Sequence, residues 1–224
     1  MWIWLFAFLT SACLAQIPYE QLNLQQQEEV RAIVKKADFV FETRTTAKKV
    51  RLSTMEKLFD HPRLGAAMWR HCQFVPGFYT FLQRDGLWSL DDGKGLRGTL
   101  NLIYRKPGFR VYLVEGLAEK GRLKTPFSVG ARMVTVYRYW EGPEGFESLL
   151  QTWTALDSAL LGFVAKPFRG YIRHRQEEFI AYINGNVASF GEFADLDPQE
   201  FYQPLQREGD VLAIHDFETL FLRK

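Results

Sequence analysis

Cysteine is nearly absent from this chain, with Cys13 and Cys72 the only two in 224 residues. If Cys13 leaves with a leader, no intramolecular disulfide can form. Histidine is also sparse. His61, His71, His174 and His215 form no HxH, HExxH or Cys/His zinc spacing, so no metal or cofactor is implied. His71 and Cys72 are sequence neighbours, whereas a Cys–His dyad needs partners that meet in space. There is no GxSxG, P-loop, GxGxxG or EF-hand loop, and no catalytic residue is assigned. Charge of one sign is lacking too: 28 Lys+Arg face 26 Asp+Glu, a net +2 with the signs mixed. Nucleic acid, which needs a clustered basic surface, is therefore not an expected partner. Repeats and low-complexity tracts are missing.

What is present is an ordinary globular mix, 47% hydrophobic and 24% charged, with an aromatic share of 15%. Residues 1–15, MWIWLFAFLTSACLA, carry no charge. A bilayer-spanning helix needs ~20 apolar residues, so this shorter run with small residues at its end reads as a secretory signal, without the usual basic start. Export to a periplasm or the exterior is the expectation. A second reading makes Thr10-Ser11-Ala12-Cys13 a lipoprotein box with lipid on Cys13.

Residues 23–37 predict a short helix whose Val30, Ile33 and Val34 share a face. Residues 38–52 read as a strand. Ser53 and Glu56 are spaced as a capping box for a helix to about Asp60, and Pro62 starts a second short helix, 62–72, with Leu64, Met68 and Trp69 inward. Period-two patterns predict strands at 77–84, 96–106, 109–118, 131–141 and 148–156, with a hairpin turn at Lys106-Pro107-Gly108-Phe109. Residues 85–95 and 119–130 read as loops, and Asp91 and Asp92 as an exposed pair. Arg97, Arg105, Arg110, Arg132 and Arg138 read as a solvated outer sheet face; one pointing inward would meet a ligand carboxylate or phosphate. Apolar residues then recur at spacings of three and four over 158–196, a long amphipathic helix stopped by Asp197-Pro198. The tail beyond has no evident place.

This order implies an α+β domain: a curved antiparallel sheet gripped by a long C-terminal helix, with two short helices after the first strand. Residues 38–196 resemble the START-like or helix-grip superfamily (Bet v 1-like), including its polyketide cyclase and dehydratase relatives. The resemblance rests on LSTMEKLFDHPRLGAAMWR (52–70), ARMVTVYRYWEG (131–142) and LLQTWTALDSALLGFVAKPFRGYIRHRQEEFI (149–180). Residues 16–37 and 197–224 are then extensions at either end of the domain. The resemblance implies an apolar cavity between sheet and long helix, holding a lipid, sterol or similar hydrophobic molecule. Phe78, Phe81, Trp88, Tyr104, Tyr112, Tyr137, Tyr139, Trp153, Phe168, Ile172 and Phe179 are the residues it places at or beside that cavity. Plain core packing is the competing reading for each. The function it implies is ligand holding, with a membrane surface or a protein as partner. The alternatives are a cyclase- or dehydratase-like enzyme using the same cavity, or an interaction module with a filled core.

Overall fold

The computed structural model describes residues 17–45, 49–75, 77–82, 86–119, 128–157 and 169–222. The N-terminal signal segment and Cys13 lie outside them. Helix α1, Leu24–Lys36, begins at Asn23, whose side chain accepts from the Gln26 amide at 2.9 Å while the Gln26 side chain accepts from the Asn23 amide at 3.1 Å. This reciprocal pair satisfies two otherwise orphaned donors. Val30 and Ile33 are its buried residues, as the sequence predicted.

Strand β1, Phe39–Arg44, follows, then α2, Leu52–Asp60, and α3, Pro62–His71. The strands β2 (Tyr79–Leu82), β3 (Trp88–Asp91), β4 (Leu96–Lys106), β5 (Phe109–Ala118), β6 (Val129–Gly142) and β7 (Gly145–Leu156) complete the sheet. All seven strands pair antiparallel in the order β1-β7-β6-β5-β4-β3-β2. A long helix, α4 (Arg169–Leu196), and two short ones, α5 (Pro198–Glu208) and α6 (Val211–Phe217), close the chain with one π turn at Glu218–Leu222. The architecture is the α+β helix-grip arrangement that the element order implied.

Several expectations are corrected. The capping box at Ser53 does not form: the cap falls two residues earlier, at Arg51, and α2 starts at Leu52. Its N-terminal amide is satisfied from a distance by Asp195 of α4, whose Oδ2 accepts from the Arg51 backbone at 2.7 Å. A tertiary acceptor has replaced a local one. Within 85–95 lies β3, too short for its alternation to stand out beside the glycines. Asp92 is buried, not exposed: its Oδ1 accepts from the Lys94 and Leu96 amides at 2.8 and 2.9 Å and fixes the β3–β4 turn, where Gly93 and Gly95 adopt positive φ. The part of the predicted 158–196 helix before Arg169 lies outside the described residues.

The sheet is covered on both faces. On one, Ile17, Leu22, Val30 and Ile33 pack with Phe109, Val111, Leu113, Val134, Val136 and Ala155. On the other, α2, α3, α4 and the tail share a core built on Leu64, Met68, Tyr137, Tyr139, Phe146, Phe190, Leu205 and Phe217. Strand alternation divides the two sets: odd residues of β5 meet α1, and even ones face the helices. The tail neither extends the sheet nor stands apart. Asp197 accepts from the Glu200 amide at 2.9 Å, so the Asp-Pro that ends α4 also starts α5. Phe201 then packs on the His71 ring, 5.4 Å between centroids, and Lys57 Nζ donates to the Leu220 carbonyl at 2.9 Å. The tail thus braces α2 and α3.

Candidate functional site

Between the helices and strands β2 to β5 lies a cavity of about 240 Å³. Helices supply Leu58 and Phe59 from α2, Pro62, Gly65, Ala66 and Trp69 from α3, and Ile183, Val187 and Phe190 from α4. Strands supply Thr80, Leu90, Leu100 and Tyr112, with Phe78 just before β2. The spacings 62, 65, 66, 69 and 183, 187, 190 are each one helical stripe. Thr80 and Leu90 are register partners on neighbouring strands, so they point to the same side.

Gly65 helps to make the space. A Cβ added there would meet nothing within 4 Å. Glycine inside a helix costs roughly 0.5–1 kcal/mol relative to alanine. Neither a turn nor a close backbone approach requires it at this position; the volume it leaves belongs to the pocket.

Behind the pocket wall sits a charged knot. Arg110 is 1% exposed. Its guanidinium donates to Glu56 Oε2 at 2.5 Å, Asp60 Oδ1 at 2.7 Å and the Tyr139 hydroxyl at 2.9 Å. Tyr139 donates in turn to Glu56 Oε1 at 2.7 Å, and the Gly108 amide reaches the same oxygen at 3.1 Å. Burial pulls the Glu56 carboxyl upward, but hydrogen bonds from Arg110, Tyr139 and Gly108 outweigh it and leave its pKa below the ordinary value. Asp60 follows the same balance, with burial opposed by Arg110 and Arg105, and is also lowered. Arg110 is therefore the strand arginine that points inward, and the chain's own carboxylates neutralise it. Sequence reading missed this because its partners lie about fifty positions earlier, on α2; only the i, i+4 spacing of Glu56 and Asp60 hinted at one acidic helix face.

The polar atoms of the pocket itself are few. Burial pushes the pKa of the Tyr112 hydroxyl up while the Arg110 guanidinium pulls it down, and burial wins. The Trp69 indole has contacts of its own. Thr80 is 8% exposed, and its Oγ1 finds no hydrogen-bond partner among the described residues.

The residues expected at the cavity divide. Phe78 and Tyr112 line it. Trp88 is the register partner of Leu100, so it shares the pocket face. Tyr137 and Tyr139 are buried on that face against the Phe59 ring, with centroids 5.1 and 5.0 Å away, as core rather than lining. Tyr104 and Trp153 pack on the opposite face, with the α1 cluster. For Tyr104 the reason is the irregularity between Leu102 and Tyr104, which puts Tyr104 opposite Val111. For Trp153 it is plain alternation, since Thr152 faces Thr135 at 3.1 Å. Phe81 pairs with Ser89 in β2–β3 register, and Ile172 and Phe179 fall on α4; their side chains, and Phe168 entirely, lie outside what the structure describes. The apolar helix-side lining of Leu58, Ala66, Ile183 and Val187 was not singled out, although the helical stripes carrying it were.

Elsewhere, a groove with Arg97, Glu115, Arg132 and Asp157 among its lining is laced by Arg97–Glu119 at 2.6 Å and Arg132–Asp157 at 3.6 Å. Among the described residues no group of His, Cys, Asp or Glu could hold a metal, and no helix is long and apolar enough to cross a membrane.

No family model matches the chain, and no curated protein does. Solved structures do. The hypothetical protein jhp0584 from Helicobacter pylori is similar at 11% identity and a TM-score of 0.45, over 72% of this chain and 93% of that one. Protein CV1439 from Chromobacterium violaceum is similar at 12% identity and a TM-score of 0.40, over 68% of this chain and 97% of its own. The di-domain ARO/CYC BexL from the BE-7585A biosynthetic pathway is similar at 14% identity and a TM-score of 0.35, over 75% of this chain and 54% of its own.

Proposed function

We propose that this protein holds a small hydrophobic molecule in the cavity bounded by α2, α3, α4 and strands β2 to β5. One observation carries the reading: a space of about 240 Å³ whose walls are almost wholly apolar. That volume falls just below the usual range of small-molecule pockets, ~300–1,000 Å³, and favours a compact molecule or a short acyl segment. Burying ~200 Å² of apolar ligand surface is worth roughly 5 kcal/mol gross, before association costs. The described lining residues contribute no carboxylate, imidazole or cation, and the two guanidiniums nearby are committed, Arg110 to Glu56 and Asp60 and Arg70 to Glu208. The geometry therefore supports holding over chemical conversion. Residues 1–15 extend the proposal to an exported carrier, whose mature form would begin at Gln16 by intact mass.

The test is titration with N-phenyl-1-naphthylamine, a neutral fluorophore that brightens in apolar sites. A saturable rise at one site per chain is expected, and native mass spectrometry of protein purified from cells should show a copurified hydrophobic molecule. A flat titration together with a bare mass would refute the reading.

A further inference from the structure

We propose that the pocket selects an uncharged molecule with a single hydrogen-bonding group, such as an alcohol or a ketone, and that Thr80 is the residue that reads that group. This rests on the ligand-holding reading above and narrows it to a chemical class.

The argument begins with the Thr80 hydroxyl. It is both donor and acceptor, it belongs to a residue 8% exposed, and it has no partner among the described residues. A buried hydroxyl without a partner is costly, and native proteins retain few. It also lines the cavity, so a polar atom on a bound molecule would satisfy it. Among the described lining residues it is the one side-chain polar atom buried without a partner. One unmet group means one polar contact. A polyol would leave its further hydroxyls facing Leu, Phe, Ile and Val, and would lose their water for nothing.

The charge argument is independent. An anionic head group needs a cation, and both arginines near the pocket are neutralised. Arg110 is held by Glu56 and Asp60. Arg70 donates to the Phe78 carbonyl at 2.7 Å, pairs with Glu208, reaches Asp210 at 3.5 Å and lies 4.5 Å from the centre of the Tyr79 ring. A cationic ligand fares no better, because among the described residues no carboxylate lines the cavity. Both signs of charge would be buried unpaired.

The position of Thr80 adds geometry. It stands on β2, the edge strand of the sheet, while Ile183, Val187 and Phe190 approach from the long helix. The polar group of the ligand is thereby assigned to the wall made by the edge strand, and its apolar body to the helices.

The experiment is a double-mutant cycle read by displacement of N-phenyl-1-naphthylamine at pH 8. Octan-1-ol, octane and octanoate compete on the full chain and on Thr80→Val, which keeps the shape and removes the hydroxyl. Octanol should weaken by roughly three- to tenfold in the variant, the value of one net hydrogen bond, while octane stays within about twofold. Octanoate should bind the parent at least about tenfold more weakly than octanol. If Thr80→Val does not fold, Thr80→Ser, which keeps the hydroxyl, should preserve the parent's ranking of the three competitors. Equal weakening of octanol and octane, loss of that ranking in Thr80→Ser, or octanoate matching octanol would overturn this proposal while leaving the carrier reading intact. Absence of fluorophore binding to the parent would remove both.

Discussion

Asn184 sits on α4 at the point where that helix meets the sheet. Its Oδ1 accepts from the Tyr137 hydroxyl at 2.9 Å and from Ser148 Oγ at 3.0 Å, with all three side chains buried. Burial pushes the Tyr137 hydroxyl well above its ordinary pKa, so it remains a donor at any working pH. Asn184→Ala would leave two buried hydroxyls without their acceptor and is expected to cost about 2–3 kcal/mol by urea unfolding, whereas Tyr137→Phe should cost about 1. Arg110 poses the same question with charge. Glu56 and Asp60 have folded pKa values lowered below their unfolded ones, near 4. Their contribution is present above the unfolded values and is lost as pH falls through the folded ones. Stability should be level from pH 7 to about 5 and decline below about 4. Arg110→Leu is expected to lose about 2–3 kcal/mol at pH 7, less than a fully buried pair because both carboxylates touch solvent, and to flatten the acid decline. A variant as acid-sensitive as the parent would show that other carboxylates govern that slope.

Among the elements, α3 carries the clearest division of labour. One stripe, Leu64 and Met68, enters the core, and the other, from Pro62 through Gly65 and Ala66 to Trp69, lines the cavity. Gly65→Leu therefore has two opposed consequences. Helix propensity improves by roughly 1 kcal/mol and open space accepts the side chain, so the thermal midpoint should hold or rise. Binding of N-phenyl-1-naphthylamine should fall at least about tenfold, because the new side chain occupies the pocket. Loss of fold together with binding would mean that the space was not open. This helix was legible in the sequence, since Pro62 and the three-and-four spacing fixed its start and its inward face. The pocket stripe was less so. Small residues such as Gly65 and Ala66 carry no periodic signal, and a cavity is an absence of side chains that no hydrophobic pattern records. The missed cap on α2 has a related cause: Asp195 is far away in the chain, while Ser53 and Glu56 offered a local pairing that the packing of α4 superseded.

At the level of the whole molecule, the strand run and the long helix were readable because alternation and helical periodicity persist over ten residues or more. The face assignments of Tyr104 and Trp153 were not, since one bulge or one residue of register reverses them. The tail was illegible because its burial is purely tertiary. Val211 is 74% exposed while Phe217 is fully buried, stacked on Tyr202 and Phe201 at 6.1 and 5.8 Å. Phe217→Ala should cost about 3–5 kcal/mol by urea unfolding, a value reserved for a true core position; a cost below about 1 would mean that the tail merely rests on the domain. Such bracing matters because α2 and α3, which the tail supports, form the helical wall of the cavity.

Trp69 lines that wall, and its emission can report an occupant directly. Titration with 8-bromooctan-1-ol, whose heavy atom quenches indole on contact, is the sharpest measurement of the central claim. The account predicts a saturable loss of tryptophan fluorescence at one site per chain, largely removed in both Trp69→Phe and Gly65→Leu. Quenching that rises without saturation, or that is the same in all three proteins, would contradict an apolar pocket open to a ligand.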